Sequence, residues 1–145
     1  MLQQRIKQTA IGSGTFLTAI FALLFALAAH AAGQPHYGEL TFSNSDDSDE
    51  SMDVFTPDTP KIFLKAELVD VPGGAKLTGT WIAEKTDAAP PNYKIDSVDL
   101  TVGTLMNVAT FSLSKPNAGW PIGDYRVELF IDGKPVTKAR FKVAQ

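Results

Sequence analysis

The stretch from Asp124 to Val143 constrains this chain more than any other. Tyr125, Val127, Leu129 and Ile131 alternate with Arg126, Glu128 and Phe130. A period of two sends one set into a core and the other toward water, which is the mark of a half-buried strand. Asp132-Gly133 then offers the positive φ angles that a two-residue hairpin turn demands. Beyond it, Thr137, Ala139, Phe141 and Val143 alternate with Lys138, Arg140 and Lys142. Two alternating strands around a tight turn are a β-hairpin, and a hairpin alone is marginal in water. The rest of the chain has to supply a sheet.

It does so in short pieces. Lys61–Val71 alternates, with Ile62, Leu64, Ala66 and Leu68 on one face; Pro72-Gly73-Gly74 turns the chain. Lys76–Lys85 keeps Leu77, Gly79, Trp81 and Ala83 in phase, and Pro90-Pro91 interrupts any ladder before Tyr93–Val102. That strand loses its phase near Asp96–Val98, which predicts a bulge. Val108–Ser114 places Ala109, Phe111 and Leu113 inward, and Tyr37–Ser43 forms an early strand. No segment past residue 31 has helical apolar spacing. The expectation is an all-β, antiparallel, seven-stranded sandwich, counting the early strand, with the sandwich domain over residues 61–145 and residues 32–60 before it as an N-terminal strand and an acidic linker. Within that linker, Ser43–Asp53 is rich in serine and acid, buries nothing and is expected to be flexible.

The first 31 residues read as a secretory signal peptide. Arg5 and Lys7 precede an uncharged apolar run, and Ala29-His30-Ala31 gives the small-x-small pattern of a cleavage site. Cleavage is expected after Ala31, leaving the remainder periplasmic or secreted. Without cleavage the segment anchors the same domain to a membrane, with Arg5 and Lys7 inside. Removing it takes away two basic residues and no acid, so the remainder is more acidic than the whole chain's net −3. An acidic domain without a basic stripe is a poor partner for nucleic acid or anionic lipid. There are no cysteines, so packing alone must hold an exported fold, and thiolate metal or redox chemistry is excluded.

Two landmarks sharpen the fold class. Trp81 lies in the middle of a strand, and Gly123-Asp124-Tyr125-Arg126-Val127 has the form of a tyrosine corner. On these residues, Lys61–Val143 resembles an immunoglobulin or fibronectin-III-like β-sandwich of the kind found in bacterial exported proteins. Val127 then stands where antibody domains carry one cysteine, and Ala66 or Leu68 where they carry the other. The resemblance implies that Trp81 and Tyr125 are buried between the sheets. It implies no particular function, because this fold hosts many.

The chemistry-bearing residues are sparse. His36 is the one histidine past residue 31, too little for a nucleophile–base–orienter set. Asp96 and Asp99 are near neighbours but fall on opposite faces of a regular strand. No catalytic residue and no cofactor is expected. Asp47, Asp49 and Asp53 have the alternate spacing of a calcium loop, yet counting from Asp47 the sixth and twelfth positions are Met52 and Asp58 rather than glycine and glutamate. Phe63, Ile82 and Phe130 fall on faces that alternation assigns to solvent, and Trp120 lies in the corner beside Pro121. These four are the candidate partner-binding residues, with Trp120 and Phe130 forming an aromatic patch if they meet. The reading that results is an exported, non-enzymatic sandwich that binds a protein or envelope partner. The alternative is a periplasmic carrier of a small ligand or calcium, which requires a cavity lined by the inward residues.

Overall fold

The computed structural model describes residues 33–145, so the signal-peptide reading of residues 1–31 lies outside the described residues. The sandwich occupies the compact unit Ala32–Gln145. Its strands are β1 His36–Ser43, β2 Val54–Phe55, β3 Lys61–Val69, β4 Lys76–Thr86, β5 Tyr93–Thr101, β6 Val108–Ser114, β7 Gly123–Ile131 and β8 Lys134–Val143. They form a three-stranded sheet in the order β1-β3-β6 and a five-stranded sheet in the order β2-β8-β7-β4-β5. The described residues contain no helix. The class is the expected all-β sandwich, but with eight strands rather than seven.

The extra strand and the domain boundary are corrections with one cause. β1 pairs antiparallel with β3, and β2 pairs in parallel with the end of β8 through Val54↔Lys142 and Phe55↔Val143. Residues 36–55 therefore contribute to both sheets instead of preceding them. The acidic run is the crossover between the sheets. It is held where Met52 N–H donates to Phe42 O at 2.8 Å, where Lys142 N–H donates to Asp53 O at 2.8 Å, and where Lys65 Nζ donates to Ser48 O at 3.0 Å. Its charges face water, and its backbone is fixed by both sheets.

Alternation dictates the core. Ile62, Leu64 and Ala66 from β3, Leu77 and Trp81 from β4, Phe111 from β6, and Val127 and Leu129 from β7 are all essentially inaccessible. The hairpin turn is as expected: Asp132 and Gly133 have φ of 49° and 79°, so both central residues adopt positive φ. Asp132 also ties the turn to β4, its carboxylate accepting from Lys76 N–H at 2.9 Å. The loss of phase in β5 is a bulge, where the pairing with β4 shifts between Trp81 and Ile82. Gly79 is required by packing, because a Cβ there would come within 2.7 Å of the Phe111 ring on the facing sheet.

Candidate interaction surface

One long side of the sandwich is closed by aromatic rings. Phe141 of β8 lies 5.1 Å from Phe42 of β1, 5.7 Å from Phe55 of β2, 5.9 Å from Trp81 and 5.0 Å from Tyr125, centroid to centroid. Tyr37 of β1 adds a bond between the sheets, its hydroxyl donating to Phe130 O at 2.9 Å. Phe130 lies between Thr78 of β4 and Pro135 of β8 in the larger sheet, so this bond ties β1 to the middle of that sheet near the hairpin. Burial pushes the Tyr37 hydroxyl up to about 12.

At one end, Tyr125 makes the corner that the sequence signals. Its hydroxyl donates to Pro121 O, four residues upstream, at 2.5 Å, and burial likewise raises it to about 12. Trp120 does not reach the surface. It is 2% exposed, its Nε1 donates to Thr59 O at 2.8 Å, and its ring meets Tyr125 and Phe141 edge-on. The expected patch of Trp120 with Phe130 is therefore absent, because Trp120 closes the end of the core. Trp81 is fully buried, and its Nε1 has no hydrogen-bond partner among the described residues.

The other proposed contact residues are also dispersed. Ile82 falls on the outer face of the five-stranded sheet but is only 7% exposed, lying between Arg126 on β7 and Lys94 on β5. Long charged stems cover such a residue while their heads stay in water. Phe130 is half-buried on that same face beside Thr78. Phe63 belongs to the other sheet, with Lys61 Nζ 5.8 Å above its ring. These four side chains do not form one surface.

The charges on the outer face of the larger sheet neutralise one another. Glu84 accepts from Arg126 at 3.4 Å and from Arg140 at 3.1 Å, Arg126 also holds Glu128 at 2.9 Å, and Lys142 pairs with Asp124 at 3.3 Å. The basic face of β8 is thus largely spent within the sheet. At the far edge, Asp99 accepts from the Thr78 hydroxyl at 2.7 Å and pairs with Lys76 at 3.0 Å, and both interactions hold its carboxyl below the usual range. Asp47, Asp49 and Asp53 do not converge. No group of three metal-ligating side chains occurs among the described residues, and Asp49 instead lies 3.7 Å from Lys65. The hollow of about 740 Å³ bounded by Gln34, His36, Asp132 and Pro135 shares Ile131 alone with the inward set that a carrier cavity requires.

The unpartnered apolar surface lies on the opposite long side, which sequence patterning did not single out. None of the nine residues of β5 is buried. Tyr93 is 53% exposed, and the loop into β6 carries Leu105 at 94%, beside Met106 and an exposed Val108. An apolar hollow of about 200 Å³ opens where Tyr93 and Ile95 meet Pro116, Trp120 and Pro121. The one signal in the sequence was Leu105-Met106 in a loop, where apolar residues have no alternation to explain them.

No protein-family model matches the chain, and no curated protein matches it in sequence. Among solved structures, it is similar to an immunoglobulin-like protein, PA1606, from Pseudomonas aeruginosa, with a TM-score of 0.52 and 13% identity over 79% of this chain and 99% of that one. The Pseudomonas fluorescens alkylpurine DNA glycosylase AlkC, bound to DNA with an abasic-site analogue, matches with a TM-score of 0.49 and 13% identity, over 77% of this chain but 30% of the enzyme. With its buried mid-strand tryptophan, its tyrosine corner and its two facing sheets, residues 33–145 form an immunoglobulin-like β-sandwich.

Proposed function

We propose that this chain is an exported, non-enzymatic module that binds a protein or another component of the cell envelope. The observation that carries the reading is the exposed apolar side at β5 and β6, where Tyr93, Leu105, Met106 and Val108 stand in water. Tyr93 stands at one end of β5 and Leu105, Met106 and Val108 at the other, with the partly buried Ile95, Val98 and Leu100 between them, and apolar exposure along one side is a feature of interaction surfaces. Export is supported by the basic start, apolar run and Ala29-His30-Ala31 site of the first residues. Intact mass of the exported protein tests that part, with a mature chain beginning at Ala32 expected.

The binding reading is tested by affinity capture from envelope extract with the Ala32–Gln145 unit, comparing wild type with Leu105→Asp/Val108→Asp. A component retained by the wild type and lost from the double variant supports it. Equal retention by both, or none by either, removes it. Phe130→Ala probes the outer face of the larger sheet in the same assay and is expected to leave capture unchanged if the β5–β6 side is the contact.

A further inference from the structure

The three-stranded sheet covers only part of the five-stranded one. Phe111 of β6 packs directly on Gly79 of β4, so β6 lies above β4. β5 is the next strand outward, and the three-stranded sheet ends before reaching it. In the β4–β5 ladder, Leu100 stands across from Leu77, Val98 from Gly79 and Asp96 from Trp81. Residues directly opposite share a face, so Leu100, Val98 and Asp96 belong to the inner side of the sheet although none is buried. The inner surface of β5 is the floor of a slot one strand wide. Its wall is the outer edge of β6, and the hollow beside Tyr93 and Pro116 is its deep end.

The wall offers free backbone. Leu68 N–H donates to Asn107 O, and Lys115 N–H donates to Pro60 O, which fixes the phase of the β3–β6 ladder. Close pairs alternate along antiparallel strands, so Ala109, Phe111 and Leu113 bond to β3. The N–H and C=O groups of Val108, Thr110, Ser112 and Ser114 then point into the slot. β6 reads Val-Ala-Thr-Phe-Ser-Leu-Ser, with neither charge nor proline. The other open edges are guarded against strand addition: β5 carries Lys94, Asp96 and Asp99, β1 carries Glu39, and β8 carries Pro135, Lys138 and Arg140.

A second copy of this domain, paired antiparallel through β6 with its sheets stacked the same way up, does not fit the slot. Were its β6 to pair with this one, the β4 beneath it would fall where β5 already runs, since β6 lies above β4 in every copy. The slot therefore accepts an extended segment with no sheet of its own behind it. Its chemistry follows from the floor. Tyr93, Ile95, Val98 and Leu100 are apolar, and Asp96 is exposed at the bulge, makes no ion pair among the described residues, and accepts only from Ser97 N–H.

We propose that the β6 edge above β5 docks one extended segment of a partner protein, apolar at alternate positions and carrying a lysine or arginine where it passes Asp96. This deepens the binding-module reading and rests on it. Backbone pairing supplies the attachment, and alternate side chains filling the floor and the hollow supply the selection.

The test is fluorescence anisotropy on the Ala32–Gln145 unit with a labelled peptide of about seven residues, a common strand length, alternating valine and threonine with a central lysine. A second peptide carries glutamate in its place. The wild type is expected to bind the lysine peptide at least about tenfold more tightly than the glutamate peptide, and Asp96→Lys to reverse that order. Thr110→Pro removes an outward N–H and spares the β3 ladder, so it is expected to abolish binding of both peptides at an unchanged melting temperature. Asp96→Lys changes an exposed side chain and keeps the test open should Thr110→Pro fail to fold. Indifference to the charge swap, undiminished binding by folded Thr110→Pro, a dimer joined through β6, or no peptide binding at all overturns the proposal. If Thr110→Pro still captures the envelope component that the wild type captures, the slot falls and the binding-module reading stands. If the wild type captures nothing either, both fall.

Discussion

The two long sides of this sandwich are made from the same alternating grammar and end differently. On the side of β1 and β8, Phe42, Phe55 and Phe141 interlock, and Tyr37 bonds across to Phe130. On the side of β5 and β6, Ile95, Val98 and Leu100 stand in an equally apolar phase and remain partly in water. Alternation decides which way a side chain points. Whether it is buried depends on a strand of the other sheet lying opposite, and above β5 the three-stranded sheet has already ended. Stability is therefore concentrated on one side and accessible apolar surface on the other.

The sharpest way to break this contrast is to truncate at the closed side. Phe141→Ala and Trp81→Ala are each expected to cost about 3–5 kcal/mol in denaturant unfolding, as large core aromatics do. A loss below about 1 kcal/mol at Phe141 would mean that the ring cluster is not what holds the two sheets together. Trp120→Ala belongs to this class, since its ring lies in the core. Next comes Gly79→Ala, whose new methyl meets the Phe111 ring, with an expected cost of about 1–3 kcal/mol from overpacking. That result also checks the placement of β6 above β4.

Tyr37→Phe is smaller, about 1 kcal/mol, the ordinary net worth of a hydrogen bond. The same hydroxyl gives a pH signature. Folding raises Tyr37 and Tyr125 from 10.0 to about 12, so their neutral forms favour the native state. That contribution is complete below pH 10 and lost as pH rises through about 12. Melting temperature is expected to fall across this interval in step with tyrosinate absorbance, and less steeply in Tyr37→Phe. The smallest effects belong to the open side, where Leu105→Ser and Val98→Thr should stay within about 0.5 kcal/mol. A large loss at either would show that β5 is structurally covered after all.

What could be read beforehand follows the same division. β3, β4, β6, β7 and β8 repeat an alternating pattern over seven residues or more, and their phases were legible with their inward sets. Trp81 and Tyr125 were legible because a tryptophan in mid-strand and a glycine-led tyrosine are local patterns. β2 was not legible, since two residues carry no period and Val54-Phe55 follows an acidic run. Ile82 and Trp120 were misplaced for reasons beyond any local pattern. Alternation put Ile82 on the correct face without registering that Arg126 and Lys94 flank it. Trp120 sits in a loop, where the path of the chain decides burial. The slot above β5 depends on how many strands each sheet receives, and that is a property of topology rather than of any segment.

The parallel pairing of β2 with β8 bears on the order in which the chain can assemble. Ala144 N–H donates to Phe55 O at 2.9 Å, and Tyr37 reaches a carbonyl 93 positions away. The β7–β8 hairpin closes over a two-residue loop and can form early, whereas contacts this distant in sequence delay the rate-limiting step. Until residues 141–144 have emerged, whether from a ribosome or from a translocation channel, Phe42 and Phe55 lack the Phe141 ring that packs against both of them. A half-delivered chain therefore shows its stickiest surface on the very side that the finished molecule seals, which makes that interval the moment at which a chaperone would have most to hold.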